Sequence, residues 1–312
     1  TLGAIAAISL KYWHMPVYVT IPMVLALGIF AGLVTGFLVA QMKIPAFVAT
    51  LAGWLFYRGT LQLVTVSTGT IVIENDVFNA LGNGFIPDPF KILPGIHIAT
   101  LMLGLLAIIL YILGEISNRK KTQAYNFEVL PMNMFILKLV GISIIIGGIT
   151  WVLAGYQGLS WAAVVLIFVV LVYSYLASRT VVGRHVYAVG GNPEAAQLNG
   201  ISVKSITYLV FGSMGMLTAI SGILYASWLR SATTIAGAGM ELDAIAAAFV
   251  GGVAVAGGVG KVSGSILGAL VMASLTNGMN LMGVDISIQY IVRALVLVGA
   301  VIFDVQTRKS IK

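Results

Sequence analysis

The sequence predicts an all-α fold, a polytopic transmembrane helical bundle, and three observations predict it. Hydrophobic residues make up 59% of the chain and charged ones only 9%. A soluble domain carries about 25% charged residues, so this chain cannot clothe itself in a wetted surface. The apolar residues gather in runs of about 20, the length at which a helix crosses a bilayer. The basic residues fall mainly between those runs, biased to one side of the membrane once the runs are counted as spans.

The elements follow in order. Residues 1–10 open the chain as "TLGAIAAISL", without Met or a basic leader. This is not a signal peptide; it reads as the last turns of a span whose beginning is missing. Nine spans follow, at 16–42, 45–66, 95–117, 134–155, 160–178, 205–230, 242–256, 262–280 and 287–303. The seventh is short and glycine-rich, and is expected to be broken or re-entrant. No soluble domain is appended, so 1–312 is expected to be a single transmembrane domain.

Placing the C-terminus "DVQTRKSIK" inside sorts the basic residues. Lys43, Arg119, Lys120, Lys121, Lys138, Arg179, Arg184, Lys204, Lys261, Arg308, Lys309 and Lys312 then fall on or near the cytoplasmic side. Only Lys11, Lys91 and Arg230 fall outside, while Arg58 and Arg293 lie within spans. The net charge of +7 is therefore not gathered on one soluble face, and nucleic acid is excluded as a partner. The longest outside loop, 67–94, reads as a polar, turn-rich cap with Glu74, Asp76 and Asp88. The inside segment 118–133 is basic.

Catalytic and cofactor chemistry finds no support. The chain has no cysteine, and His14, His97 and His185 lack ligand spacing. The glycine-rich 251–263, "GGVAVAGGVGKVS", is not a phosphate loop, because Val255 stands where the first Walker glycine belongs and Val262 follows Lys261. It reads as irregular backbone where two short helices meet, which a membrane tolerates only when it is buried or lines a cavity. Every acid sits at or beyond a span end: Glu115, Glu128, Glu194 and Asp304 inside, and Glu74, Asp76, Asp88, Glu241, Asp243 and Asp285 outside. A proton-driven carrier usually keeps an ionisable relay near mid-bilayer, so this chain is a poor candidate for one.

Two glycine stripes recur at four-residue spacing, Gly28/Gly32/Gly36 and Gly260/Gly264/Gly268. Each makes a face along which another helix backbone can approach closely; a related pair from an inverted repeat is the other reading. Arg58 and Arg293 are costly inside a bilayer. They are either bonded to helix-end carbonyls or snorkelling, or they belong to a translocation path or gate. Asn277 and Asn280, with Arg58 and Gln62 on the other side of the chain, are the candidate path residues, the alternative for each amide being a helix-to-helix hydrogen bond.

Residues 179–204 form a polar segment between two spans, and inside it lies "GGNPEAAQLNG". Asn192 suits a helix N-cap and Pro193 the first helical position. Glu194 complements the helix dipole, Ala195 and Ala196 are good helix formers, and Gly200 can close the helix in a left-handed conformation. A short capped helix outside the bilayer, flanked by Arg184, His185 and Lys204, is a docking element rather than a folding one.

"NPEAA…G" resembles the Glu-Ala-Ala-x-x-x-Gly core of the cytoplasmic loop in permease subunits of ABC importers. "GRHVYAVGGNPEAAQLNGISV" (183–203) resembles the monosaccharide permeases among them, those for ribose, galactose and xylose. The similarity extends through 44–59, 238–270 and 277–304. The family's usual first span is not found, and 118–160 carries an insert of a basic loop and two spans that is more similar to xylose-type or multiple-sugar members. The resemblance implies the ABC importer permease fold with a cytoplasmic coupling helix. It implies a subunit of the inner membrane with no cofactor, no metal and no ATP site of its own. It also implies three partners: a cytoplasmic ATP-binding subunit, an extracytoplasmic sugar-binding protein and a second permease copy. Arg184, Asn192, Pro193, Glu194, Ala195, Ala196 and Gly200 would be the ATPase-coupling residues. A secondary carrier or channel for a small neutral solute is the alternative.

Overall fold

A computed structural model describes residues 1–66, 69–89, 95–125 and 129–309. Lys91, Glu128 and Lys312 lie outside the described residues. The helices are α1 (Leu2–Lys11), α2 (Val17–Ala40), α3 (Ala46–Val66), α4 (Asp76–Asn83), α5 (Ile98–Ala124), α6 (Met132–Ala154), α7 (Trp161–Arg179), α8 (Val181–Gly191), α9 (Pro193–Leu198), α10 (Val203–Leu229), α11 (Met240–Val250), α12 (Val262–Leu281) and α13 (Ile286–Lys309). Two short strands, β1 (Ile71–Val72) and β2 (Ser231–Ala232), pair antiparallel.

Among the described residues seven helices are long and apolar enough to cross a membrane: α2, α5, α6, α7, α10, α12 and α13. The protein is thus a polytopic helical membrane protein, but the count of nine spans is not reproduced. α3 has a span's length yet is diluted by Arg58, Gln62 and several threonines. α11 has only 11 residues, about 16 Å at 1.5 Å per residue, half of what a bilayer needs. It is the expected broken element, although its neighbour α12 is a full 20-residue helix rather than a second short one. α5 runs to Ala124, so Arg119, Lys120 and Lys121 ride on its last turns rather than in a loop. Lys, Arg, Gln and Ala are strong helix formers, and nothing stops the helix at the end of its apolar stretch. The cap read at 67–94 contains β1 and α4 as well as turns.

The chain divides into two compact units, Thr1–Asn79 with Leu166–Lys312, and Ala80–Val165. The first is built on the antiparallel pair α2 and α10. Gly28 faces Gly215, Gly32 faces Phe211 and Gly212, and Gly36 faces Tyr208. A methyl group on Gly28 would come within 2.5 Å of the Gly215 carbonyl oxygen, so the first glycine stripe is a backbone-to-backbone seam. α1 joins the same pair, with Gly3 against Gly222 and Ala226. At one end of the pair, beside the β1–β2 ribbon, α4 is tied to α10 by Ser227 Oγ, which donates to the Phe78 carbonyl at 2.7 Å. At the other end Lys204 Nζ donates to Gln41 Oε1 at 3.2 Å. Lys11 and Arg230 fall at the ribbon end, and Lys43 and Lys204 at the opposite one.

α11, α12 and α13 pack around Ala246, Ala247 and Met272. Gly268 lies directly on the Ala247 carbonyl and Gly264 on that of Gly251. Gly260 does not share this face, because α12 begins only at Val262.

In the second unit α5 and α6 run antiparallel, with Gly104 against Thr150 near one end and Glu115 paired with Lys138 at 2.8 Å near the other. The N-terminus of α5 is capped by His97, whose Nδ1 accepts from the Thr100 N–H at 3.3 Å while Nε2 sits 2.8 Å from the Ile86 carbonyl.

Candidate functional site

Two helices, not one, fill the polar stretch before α10. α8 starts on Thr180, whose hydroxyl accepts from the Gly183 N–H at 3.2 Å. It was illegible as a helix because Gly183, Gly190 and Gly191 read as loop. α9 is built as its residues dictate. Asn192 Oδ1 accepts from the Ala195 N–H at 3.0 Å, and Pro193 occupies the first position, where its missing N–H leaves nothing unsatisfied. Gly200 closes the helix at φ +80, and the Gly200 and Ile201 N–H groups return to the Gln197 and Ala196 carbonyls. Ala196 is the buried residue of α9. Arg184, Asn192, Pro193, Glu194, Ala195 and Gly200 are exposed. So is Leu198, at 89%; it is a large apolar side chain held out on a helix that lies outside the apolar spans. Sequence reasoning missed Leu198, although an apolar residue at the tip of a polar segment was the signal.

A second cluster sits where α11, α12 and α13 meet. Arg293 Nη1 donates to Asp243 Oδ2 at 3.0 Å. Its Nη2 reaches Gln289 Oε1 at 3.5 Å, and Gln289 Nε2 donates to Asn280 Oδ1 at 2.8 Å and to the Val284 carbonyl at 2.9 Å. Gln289 is 5% exposed, so an amide bonded on both sides is the cheap way to bury it. Arg293 is therefore tied to a carboxylate from another helix rather than to helix-end carbonyls. Gln289 and Asp243 escaped the sequence reading; the four-residue spacing of Gln289 and Arg293 was the available signal. Next to this cluster Asp285 accepts from the Ser287 N–H at 2.7 Å. That bond, with the Ser287 hydroxyl, holds the Asp285 carboxyl below the usual carboxylate range.

The path candidates are not brought together. Asn280 belongs to the Arg293 cluster, and Asn277 is exposed on α12. Arg58 lies over the Trp54 ring at 5.6 Å, and Gln62 is exposed. A cavity of about 620 Å³ opens between α1, α2, α3 and α10. α3 lines it with Trp54, Tyr57 and Thr60, while Thr35 and Thr218 add hydroxyls from α2 and α10. Aromatic faces with scattered hydroxyls suit an uncharged, hydroxyl-rich solute better than an ion.

Residues 1–301 match the family described as branched-chain amino acid transport system / permease component. The chain belongs to this permease family. It is similar to the xylose transport system permease protein of Haemophilus influenzae, 37% identical over 99% of this chain and 80% of that one. The Escherichia coli protein of the same description is 35% identical, over 99% of this chain and 76% of its own length. The ribose import permease protein of Haemophilus influenzae is 31% identical, over 97% and 72%. No solved structure matches. A permease component is a transport protein and not an enzyme.

Proposed function

We propose that this chain is the membrane-spanning subunit of an ABC importer that moves a monosaccharide, xylose or a related pentose or hexose, across the inner membrane. A cytoplasmic ATPase grips α9, an extracytoplasmic binding protein delivers the sugar, and a second copy of the chain completes the pore. The C-terminus lies in the cytoplasm, on the side of α8 and α9. The observation that carries this reading is the capped α9 with Leu198 exposed at its tip. Outside a bilayer an exposed leucine gains its burial energy, about 2 kcal/mol, only by entering a partner's groove. The similarity to xylose and ribose permeases supports the sugar. The aromatic and threonine lining of the cavity between α1, α2, α3 and α10 supports a neutral one, and a role for Arg58, Gln62, Asn277 and Asn280 on the path is part of the proposal.

The test uses the full chain co-expressed with its ATPase and binding protein. Leu198→Asp, Glu194→Lys and Gly200→Val should each lose ATPase pull-down and sugar-stimulated ATP hydrolysis while still inserting into membranes. Xylose uptake by the intact system should collapse on ATP depletion and survive an uncoupler; the reverse would identify a secondary carrier. Orientation is read by labelling, since the chain has no native cysteine. Pro87→Cys should react with an impermeant thiol reagent from outside and Gln123→Cys only from inside.

A further inference from the structure

We propose that Tyr187 and the Gly190–Gly191 pair of α8 are positioning residues that clamp the docking helix to the broken segment 251–260, so that a displacement of α9 reaches α11 without a compliant joint between. The inference rests on the reading that α9 docks an ATPase.

α8 and α9 share a single residue. The Asn192 N–H closes α8 on the Ala188 carbonyl at 3.0 Å, and the Asn192 side chain opens α9. No loop residue intervenes between the two helices. The C-terminal turn of α8 then lies backbone to backbone on the 251–260 turn. A methyl group on Gly257 would fall on the Gly190 carbonyl, and one on Gly258 would lie 2.7 Å from Gly191 Cα. In return, one on Gly190 would lie 2.9 Å from the Gly258 nitrogen. One turn earlier Tyr187 Oη donates to the Gly260 carbonyl at 2.8 Å. The turn is itself stiff, with the Ala254 N–H on the Val259 carbonyl at 2.9 Å and the Val253 N–H tied back into α11 on Ala248 at 3.1 Å. Its Val255 N–H reaches Asp304 Oδ2 of α13 at 3.4 Å.

Ordinary core packing explains this poorly. Glycines give up the most conformational entropy on folding, and four facing glycines bring no side chains to bury. Gly257 and Gly258 also stand at φ +86 and +71, where a β-carbon is strained. What they provide is the shortest approach two backbones can make, with one tyrosine hydroxyl fixing the register. Such a contact transmits displacement because nothing in it can rotate out of the way. Beyond it α11 leads to Asp243, bonded to Arg293, so the clamp joins the docking surface to the polar cluster at the other end of α11.

The experiment uses the complete importer in vesicles and reads three quantities: ATPase pull-down, the rate of ATP hydrolysis, and sugar moved per ATP. Tyr187→Phe keeps the ring and removes only the hydroxyl. It should leave pull-down and the melting temperature unchanged and lower sugar moved per ATP about fivefold, the factor carried by one net hydrogen bond of about 1 kcal/mol. Gly190→Ala should lower the ratio further. Leu198→Asp is the parallel control: retained pull-down in that variant would remove the docking reading, separately from the clamp. A wild-type ratio in Tyr187→Phe overturns the clamp. So does a loss of hydrolysis and uptake in proportion to a falling melting temperature, which would make the hydroxyl structural glue.

Discussion

The α2–α10 pair and the α5–α6 pair are both antiparallel and both apolar, yet they are joined by opposite means. α2 meets α10 through Gly28, Gly32 and Gly36, and what lies across the seam is mostly main chain. α5 meets α6 through side chains: Thr150 over Gly104, the Glu115–Lys138 pair, and Arg119 stacked 4.5 Å over the Phe135 ring. Gly141 and Gly148 of α6 have open space where a β-carbon would go. Without a hydrophobic driving force between helices in lipid, close van der Waals approach and specific polar contacts are the two ways to hold a pair. The backbone seam fixes a distance and tolerates no added atom. The side-chain pair tolerates change because rotamers can yield. The seam belongs to the unit that also holds α8, α9 and the cavity, where the proposed docking of an ATPase would require geometry to be kept while force is applied.

The largest expected effect tests the seam directly. In Gly32→Val the new side chain would collide with the Phe211 carbonyl and come within 3.1 Å of Gly212 Cα. Neither is a flexible side-chain end, so the helices must separate. We expect a loss at or above the usual overpacking cost of about 3 kcal/mol, seen as little folded protein in detergent by size exclusion and thermal melting. Gly148→Val in α6 should express and melt like the parent. Equal behaviour of the two variants would erase the distinction between the pairs.

The seam also shows what a sequence discloses and what it hides. Glycines at four-residue spacing are local, so the existence of a packing face was legible. Its partner was not: Gly212, Gly215 and Ala219 of α10 form a small-residue face of their own, but Gly215 lies 187 positions from Gly28, and no local spacing says which two faces meet. The helix α9 was legible residue by residue, since Asn192, Pro193, Glu194 and Gly200 each act within one or two turns. α8 was hidden because its glycines serve a contact with residues 257–258 rather than a loop. The end of α5 was hidden because charge was taken for a helix stop, when only the apolar stretch ends there. The Asp243–Arg293 pair joins α11 to α13 across 50 positions, and no local rule reports it.

That pair gives the next effect in size, and it asks whether a charge tie inside the first unit behaves like its backbone seam. Asp243→Asn leaves the Arg293 charge with Gln289 Oε1 and the Tyr290 ring but no carboxylate. Breaking a fully buried pair costs roughly 3–5 kcal/mol. Arg293 and Asp243 remain 21% and 36% exposed, so we expect a smaller loss, about 1–2 kcal/mol. The double variant Asp243→Asn with Arg293→Gln should recover part of it, because no charge is then left unpaired. Thermal melts of the four proteins read the coupling. A double variant as unstable as the sum of the singles would show that the two residues act independently.

The smallest effect belongs to the side-chain-joined pair. Glu115 and Lys138 meet at 2.8 Å, but their side chains are 24% and 40% exposed. Both lie toward the ends of α5 and α6 that carry Arg119, Lys120 and Lys121, in the region we assign to the cytoplasmic interface. There water and ions reach them, and a screened pair of long side chains is worth only about 0.2–1 kcal/mol. At 0.15 M salt the screening length is about 8 Å, so the remaining attraction should shrink further as salt rises. A double-mutant cycle with Glu115→Gln and Lys138→Gln, read by melting at low and high salt, should give a coupling near 0.5 kcal/mol that falls as salt is added. A coupling above about 2 kcal/mol, independent of salt, would place the pair in hydrocarbon, where a charged side chain costs several kcal/mol. α5 and α6 would then be held as unyieldingly as α2 and α10, by charge in place of backbone.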